Sequence, residues 1–187
     1  MKKNKLFNLV LDLDNTLLNT IPTSFVRLIP DSIKNHLYSI SFIDNEGTQM
    51  TTFIRPQLLS FLYICSQLFN LSIWTFGTRE YANIIVKKLI PSYIKFDHVL
   101  SRDETNEANR IYHRFKPLEY LYALDSKYNR SNTVIIDDLP DVYLSNRNNC
   151  ISIKPFNVLN STPIEVIKDQ ELYRVYKNIL DKFKISI

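Results

Sequence analysis

The chain has 187 residues, of which 45% are hydrophobic, 22% charged and 12% aromatic, so a single domain over 1–187 is expected and intrinsic disorder is excluded. Its formal charge of +4 comes from Lys and Arg scattered among Asp and Glu, and without a polybasic run no direct contact with nucleic acid is expected. The two cysteines, Cys65 and Cys150, lack CxxC spacing or a nearby His, which excludes a zinc site and a disulfide framework and fits a reducing compartment.

In chain order, the start MKKNK and the apolar run from Leu6 to Leu11 have the outline of a signal peptide. Asn8, Asp12 and Asp14 break its apolar core, so no secretion signal is read and Leu6–Leu11 is assigned as a strand. Two β-rich runs, Tyr38–Ile43 and Gln49–Ile54, flank Asp44-Asn45-Glu46-Gly47, the pattern of a hairpin whose turn needs a positive φ. Pro56–Thr78 carries no charge, the first requirement of a membrane span, yet Gln57, Ser60, Ser66, Gln67, Asn70 and Ser72 punctuate it. A buried helix over 57–69 and a strand over 71–75 are therefore predicted instead of a membrane span. A helix over 79–89, a short strand at 98–100 and a polar connection over 102–114 follow. Then come a helix over 117–128, strands at 133–137 and 150–153, and a final helix over 170–185 with Leu172, Tyr173, Tyr176, Ile179, Leu180 and Phe183 at helical spacing. Helices alternating with continuous apolar strands predict a doubly wound, mostly parallel α/β sheet with a β-hairpin insertion.

In such sheets the site lies at the carboxyl ends of the strands. Three ends stand out. The first is DLDNT, where Asp12 and Asp14 are spaced so that both face one site while Leu13 turns inward. The second is WTFGTR, with a hydroxyl at Thr75, a helix start near Arg79, and Gly77 where a missing side chain would let a ligand approach the backbone. The third is IIDD, ending in Asp137 and Asp138, and between the last two lies Lys116 beside Pro117. Carboxylates gathered in this way repel unless a cation sits among them, and an all-oxygen set implies Mg²⁺. One acid can then attack phosphorus, its neighbour can protonate the leaving oxygen, and Lys116 and Thr75 can hold the phosphoryl oxygens. That is phosphoryl transfer through an aspartyl phosphate.

The strings DLDNTL, WTFGTREYA, SRDE, Lys116 and VIIDDLPDVY resemble, in order and spacing, the haloacid dehalogenase superfamily, and within it the RNA polymerase II C-terminal-domain phosphatases of the FCP/SCP type. The resemblance runs from about Leu6 to Phe156 and includes TFIRPQLLSFL after the hairpin. It implies Asp12 as nucleophile and Asp14 as general acid/base, with the Asp14 carbonyl reaching magnesium. It also implies Thr75 and Lys116 as phosphate-holding residues, Asp138 as metal ligand and Asp137 as its support. Thr78, Tyr81 and Arg102 fall on substrate-contacting positions, and Tyr38–Ile54 resembles the group's substrate-binding hairpin. TFGTR and SRDE are closer to the large FCP enzymes, whereas the compact length is that of the small SCP type, with no bulky cap domain, inserted domain or BRCT module.

The expected activity is Mg²⁺-dependent dephosphorylation of phosphoserine or phosphothreonine in polymerase C-terminal repeats, by an intracellular monomer of nucleus or cytoplasm without membrane attachment. Scarce Gly with abundant Asn, Ile and Lys is the coding bias of an AT-rich genome, such as that of a large DNA virus or a parasite. Two alternatives stay open at this level. One is a non-catalytic adaptor on the same fold, and the other a phosphatase for nucleotides or nucleic-acid ends.

Overall fold

The computed structural model describes residues 5–185, so Met1–Asn4 of the basic start lie outside the described residues. Five parallel strands form the main sheet in the order β6-β5-β1-β7-β8: β1 (Phe7–Leu11), β5 (Phe69–Trp74), β6 (Phe96–Leu100), β7 (Thr133–Asp137) and β8 (Cys150–Ser152). The doubly wound α/β class read from the alternating pattern is the class observed. β1 is central, and its side chains divide between two cores. Leu9 and Leu11 pack on the face covered by α2 (Leu58–Leu68), α3 (Arg79–Leu89) and α8 (Glu171–Phe183). Val10 packs on the other face with Trp74, Leu118, Leu121 and Ile135, beneath α4 (Arg102–Tyr112), α5 (Leu118–Leu124) and α6 (Pro140–Ser145). Burial on both faces is why these strands read as unbroken apolar runs.

The stretch with the reach of a membrane span is a helix and a strand, α2 and β5, and among the described residues no helix is long and apolar enough to cross a bilayer. The final helix is α8, which buries Leu172, Val175 and Ile179 and leaves Tyr173 exposed.

Several elements were not expected from the sequence. The connection over 102–114 is the helix α4. It buries only Thr105 and Ala108, too few for an apolar period, and it is started by a capping box in which Ser101 and Glu104 bond reciprocally. The predicted hairpin is observed as β3 (Ser39–Ile43) and β4 (Gln49–Ile54), and β2 (Leu18–Pro22), not expected, pairs with β4 to give a three-stranded sheet in the order β2-β4-β3. Gly47 makes the turn at φ +80°, as its place between the strands required. Finally, α6 and α7 (Pro163–Ile167) are short helices, each with Pro in its first turn, that leave no periodic trace.

The three-stranded sheet, with α1 (Asp31–Lys34), closes its own small core of Ile21, Ile33, Leu37 and Phe53 against Phe156 and Val166. It leaves the main chain between β1 and α2, so it stands beside the carboxyl end of the central strand without forming a large cap over it.

Candidate active site

Asp12 directly follows β1, Thr75 directly follows β5, and Asp137 ends β7, three adjacent strands of the sheet. Strand register alone therefore brings the three sequence-predicted ends together. They open into a cleft of about 250 Å³ lined by Asp12, Asp14, Asn15, Thr75, Phe76, Asp138 and Leu139.

Lys116 reaches this cluster from the start of α5. Its side chain is fully buried, and Nζ donates to Asp12 Oδ1 at 2.6 Å and to Asp137 Oδ2 at 2.7 Å, 4.7 Å from the centre of the Phe76 ring. Burial alone would lower the ammonium's pKa, but Asp12 and Asp137 outweigh it and hold Lys116 above its ordinary value. The residue adopts a left-handed backbone at φ +42°, which a side chain other than glycine or asparagine disfavours. Asn146, at the end of α6, secures it. Its buried amide donates to the Lys116 carbonyl at 3.0 Å and accepts from the Leu118 N–H at 2.9 Å, spanning the bend.

The four acids are in different states. Asp137 has a donor on each oxygen, Lys116 on Oδ2 at 2.7 Å and the Leu139 N–H on Oδ1 at 2.9 Å, which leaves further lone pairs free. Asp138 accepts from the Thr16 hydroxyl at 3.2 Å, and burial, then Asp137, pushes its carboxyl up to about 6. Burial pushes Asp12 up to about 8 against the pull of Lys116, with Asp137 and Asp14 adding to the rise. Asp14 is raised by burial too, though the Tyr81 hydroxyl that donates to it at 2.5 Å pulls the other way. Four carboxyl groups thus face one ammonium, and either a proton or a cation must offset the surplus. Asp12, Asp137 and Asp138 each offer an oxygen within 4.8 Å of the others, a hard all-oxygen set that fits a divalent cation.

Tyr81, expected among the substrate contacts, points at Asp14. Its single proton is spent there, so Thr20 donates to the phenol oxygen at 2.7 Å and Thr52 donates to Thr20 at 2.8 Å, which anchors Asp14 to the small sheet. Gly77 follows from this. A Cβ there would run into the Tyr81 ring, so the missing side chain is what lets that ring pack against the turn. Thr78 caps α3, its hydroxyl accepting from the Tyr81 N–H at 3.2 Å. Arg102 is exposed at the edge of the same turn, with Nε on the Phe76 carbonyl at 3.0 Å and its own N–H on the Gly77 carbonyl at 2.8 Å. Thr75 is buried and accepts from the Gly77 N–H at 3.0 Å. Behind it, the Thr105 hydroxyl of α4 receives the Trp74 indole N–H at 2.9 Å and donates to the Ser101 carbonyl at 2.9 Å, with the Thr75 carbonyl 3.3 Å away.

A model of the NLI interacting factor-like phosphatases matches residues 7–185 of the chain. The chain belongs to this family. The match confirms the resemblance to FCP-type phosphatases of the haloacid dehalogenase superfamily. The CTD phosphatase-like protein 355R of Invertebrate iridescent virus 6 is 32% identical over 184 residues, covering 94% of this chain and 97% of that protein. RNA polymerase II C-terminal domain phosphatase-like 4 of Arabidopsis thaliana is also 32% identical, over 86% of this chain but only 36% of its own length. The chain therefore spans nearly the whole viral relative and about a third of the plant one. Among solved structures, Fcp1, an essential RNA polymerase II CTD phosphatase, superposes with a TM-score of 0.71 at 24% identity, covering 94% of this chain and 61% of that chain. That likeness establishes the shared fold.

Proposed function

We propose that the chain, as one phosphatase domain over 1–187, is a Mg²⁺-dependent protein serine/threonine phosphatase that works through an aspartyl phosphate on repeats of the RNA polymerase II C-terminal domain. The observation that carries this reading is Asp12, held by Lys116 at the end of the central strand beside a second acid, Asp14, that has a hydrogen-bond partner of its own. A cleft of about 250 Å³ takes a phosphoryl group and little more, so the rest of the substrate lies along the surface, as a peptide does.

Asp12 attacks phosphorus through one carboxylate oxygen. An aspartyl phosphate forms as the ester P–O bond breaks, and Asp14 gives its proton to the departing seryl or threonyl oxygen. In the second half Asp14 takes a proton from water, the water oxygen attacks phosphorus, and Asp12 is released with inorganic phosphate. Lys116 and Thr75 hold the phosphoryl oxygens in both halves. Asp12, Asp138 and the Asp14 carbonyl, with Asp137 in support, would hold Mg²⁺, which when bound would supply positive charge favouring the ionised form of Asp12 and the charge of the phosphoryl group.

The test is phosphate release from phosphorylated heptad-repeat peptides, with 3′-phosphorylated oligonucleotides as the competing substrate class. Turnover of the peptides with a much larger kcat/KM supports the reading. Preference for the oligonucleotides transfers the site to nucleic-acid ends, and a folded protein that turns over neither is an adaptor.

Tyr81 acts through Asp14, so Tyr81→Phe is expected to lower kcat on a phosphoserine peptide about tenfold, the order of one charged hydrogen bond. The loss should be smaller on p-nitrophenyl phosphate, whose phenolate leaves without a proton. A rise in peptide KM with kcat intact would make Tyr81 a substrate contact instead.

The raised acids also set a pH dependence of stability. Asp12 at about 8 and Asp138 at about 6, with Asp14 also raised, bind protons in the folded state that the unfolded chain has released. Stability from these groups is complete at acid pH and is lost as pH rises through their folded values. In chelator, Tm should fall between pH 5 and pH 8, and millimolar Mg²⁺ should restore more of it at pH 8 than at pH 5. A Tm indifferent to Mg²⁺ across this range would remove the metal from the proposal.

A further inference from the structure

A second cleft, of about 330 Å³, lies between the start of α5, the end of α6 and the loops before β7 and β8. None of its lining residues lines the acid cleft. Its walls carry three guanidinium groups, Arg114, Arg130 and Arg147, against one carboxylate, Glu119, which Arg114 already pairs at 3.1 Å. Arg114 also donates to the Ser145 carbonyl at 3.0 Å, whereas Arg130 and Arg147 are exposed and form no ion pair among the described residues.

The floor is rigid and polar. Asn149 is buried and its amide donates to the Arg130 carbonyl at 2.7 Å and the Thr133 carbonyl at 2.6 Å, fixing the backbone from which Arg130 extends. Asn146, also in the floor, is the residue that secures the Lys116 bend. Arg130 and Arg147, with no carboxylate partner among the described residues, leave their donors open to an anion, and planar guanidinium forks match phosphate oxygens two at a time.

We propose that this cleft is a second phosphate-binding site, one that holds a phosphoryl group without cleaving it. It has neither a carboxylate free to attack nor a buried ammonium. Two sources offer the same dianion: a second phosphorylated residue of the substrate chain, or the inorganic phosphate released by turnover. The first source deepens the phosphoprotein reading above and rests on it; binding itself does not.

Two measurements test the site. Inorganic phosphate is titrated into ¹⁵N-labelled protein while the side-chain Nε–Hε resonances of Arg130 and Arg147 are followed, with chloride at equal ionic strength as control. In parallel, kcat/KM is compared on singly and doubly phosphorylated heptad-repeat peptides for the wild type and for Arg130→Gln/Arg147→Gln, whose turnover of p-nitrophenyl phosphate should be unchanged. Saturable shifts beyond those in chloride are expected, with about a tenfold preference for the doubly phosphorylated peptide that the double variant loses. Shifts without that preference support the site with free phosphate as its ligand. Shifts no larger than those in chloride overturn it. Absence of turnover on every peptide with the shifts intact defeats the phosphatase reading and leaves the second site standing.

Discussion

Asp12→Asn is expected to abolish phosphate release from both p-nitrophenyl phosphate and phosphopeptide, with kcat lower on the order of ten-thousandfold or more, the scale on which enzymes lose a covalent nucleophile. The side chain keeps its shape, and the amide oxygen can still accept from Lys116 Nζ, which the native carboxylate does at 2.6 Å. What disappears is a carboxylate in a crowd. Burial, Asp137 and Asp14 all oppose its charge, so in chelator the variant should melt no lower than the wild type at pH 8, where that charge is most costly. Activity lost with Tm maintained identifies Asp12 as the nucleophile. Turnover within tenfold of the wild type would end the aspartyl-phosphate mechanism, and a collapse of Tm would give Asp12 a structural role that Lys116 and Asp137 cannot fill alone.

The site was legible where one rule governs it. Apolar strands buried on both faces leave their first polar residues at the carboxyl edge, so Asp12, Thr75 and Asp137 could be found at the ends of NLVL, LSIW and TVII and brought together by β1, β5 and β7 being neighbours. Lys116 was found by its place before a helix, although nothing local foretold its left-handed backbone. The residues that hold these groups were less visible. Asn146 lies in the polar run SNRNN, without period, and its role depends on α6 ending beside the bend before α5, a tertiary fact. Thr20 and Thr52 belong to strands 32 residues apart that meet only because β2 joins the small sheet. β2 itself is five residues of mixed polarity ending in Pro22, too weak a pattern to be read as a strand.

α4 is the instructive omission. Its apolar stripe is nearly absent, because its buried contacts are the Thr105 hydroxyl and the Ala108 methyl, yet Ser101-x-x-Glu104 is a helix-start signature present in the sequence. The same signature, Thr162-x-x-Glu165 with Pro163 in the first turn, marks α7. Capping chemistry would have located both where hydrophobic periodicity could not.

Arg55 has the largest expected effect on stability. It lies within TFIRP, shows no exposure, and spends its guanidinium on three separate parts of the chain. Nε and Nη2 fork onto Asp169 at 2.9 and 2.8 Å, Nη2 also donates to the Lys154 carbonyl at 2.8 Å, and Nη1 donates to the Thr16 carbonyl at 2.9 Å. Asp169 in turn accepts from the Glu171 N–H at 3.0 Å, at the start of α8. Arg55→Met strands a nearly buried carboxylate and two carbonyls, a loss of about 3–5 kcal/mol, which for a domain of this size lowers Tm by about 10 °C. Lysine cannot replace it, because a single ammonium does not reproduce the fork. Arg55→Met combined with Asp169→Leu removes the unpaired charge and should recover much of the Tm. It should not recover kcat. The Thr16 carbonyl remains without its donor in the turn that carries Asp14 and orients Asp138 through the Thr16 hydroxyl. Restored stability with kcat still depressed, measured below both melting transitions, makes Arg55 a positioning residue of the acid cluster; recovery of both would reduce it to a structural tie.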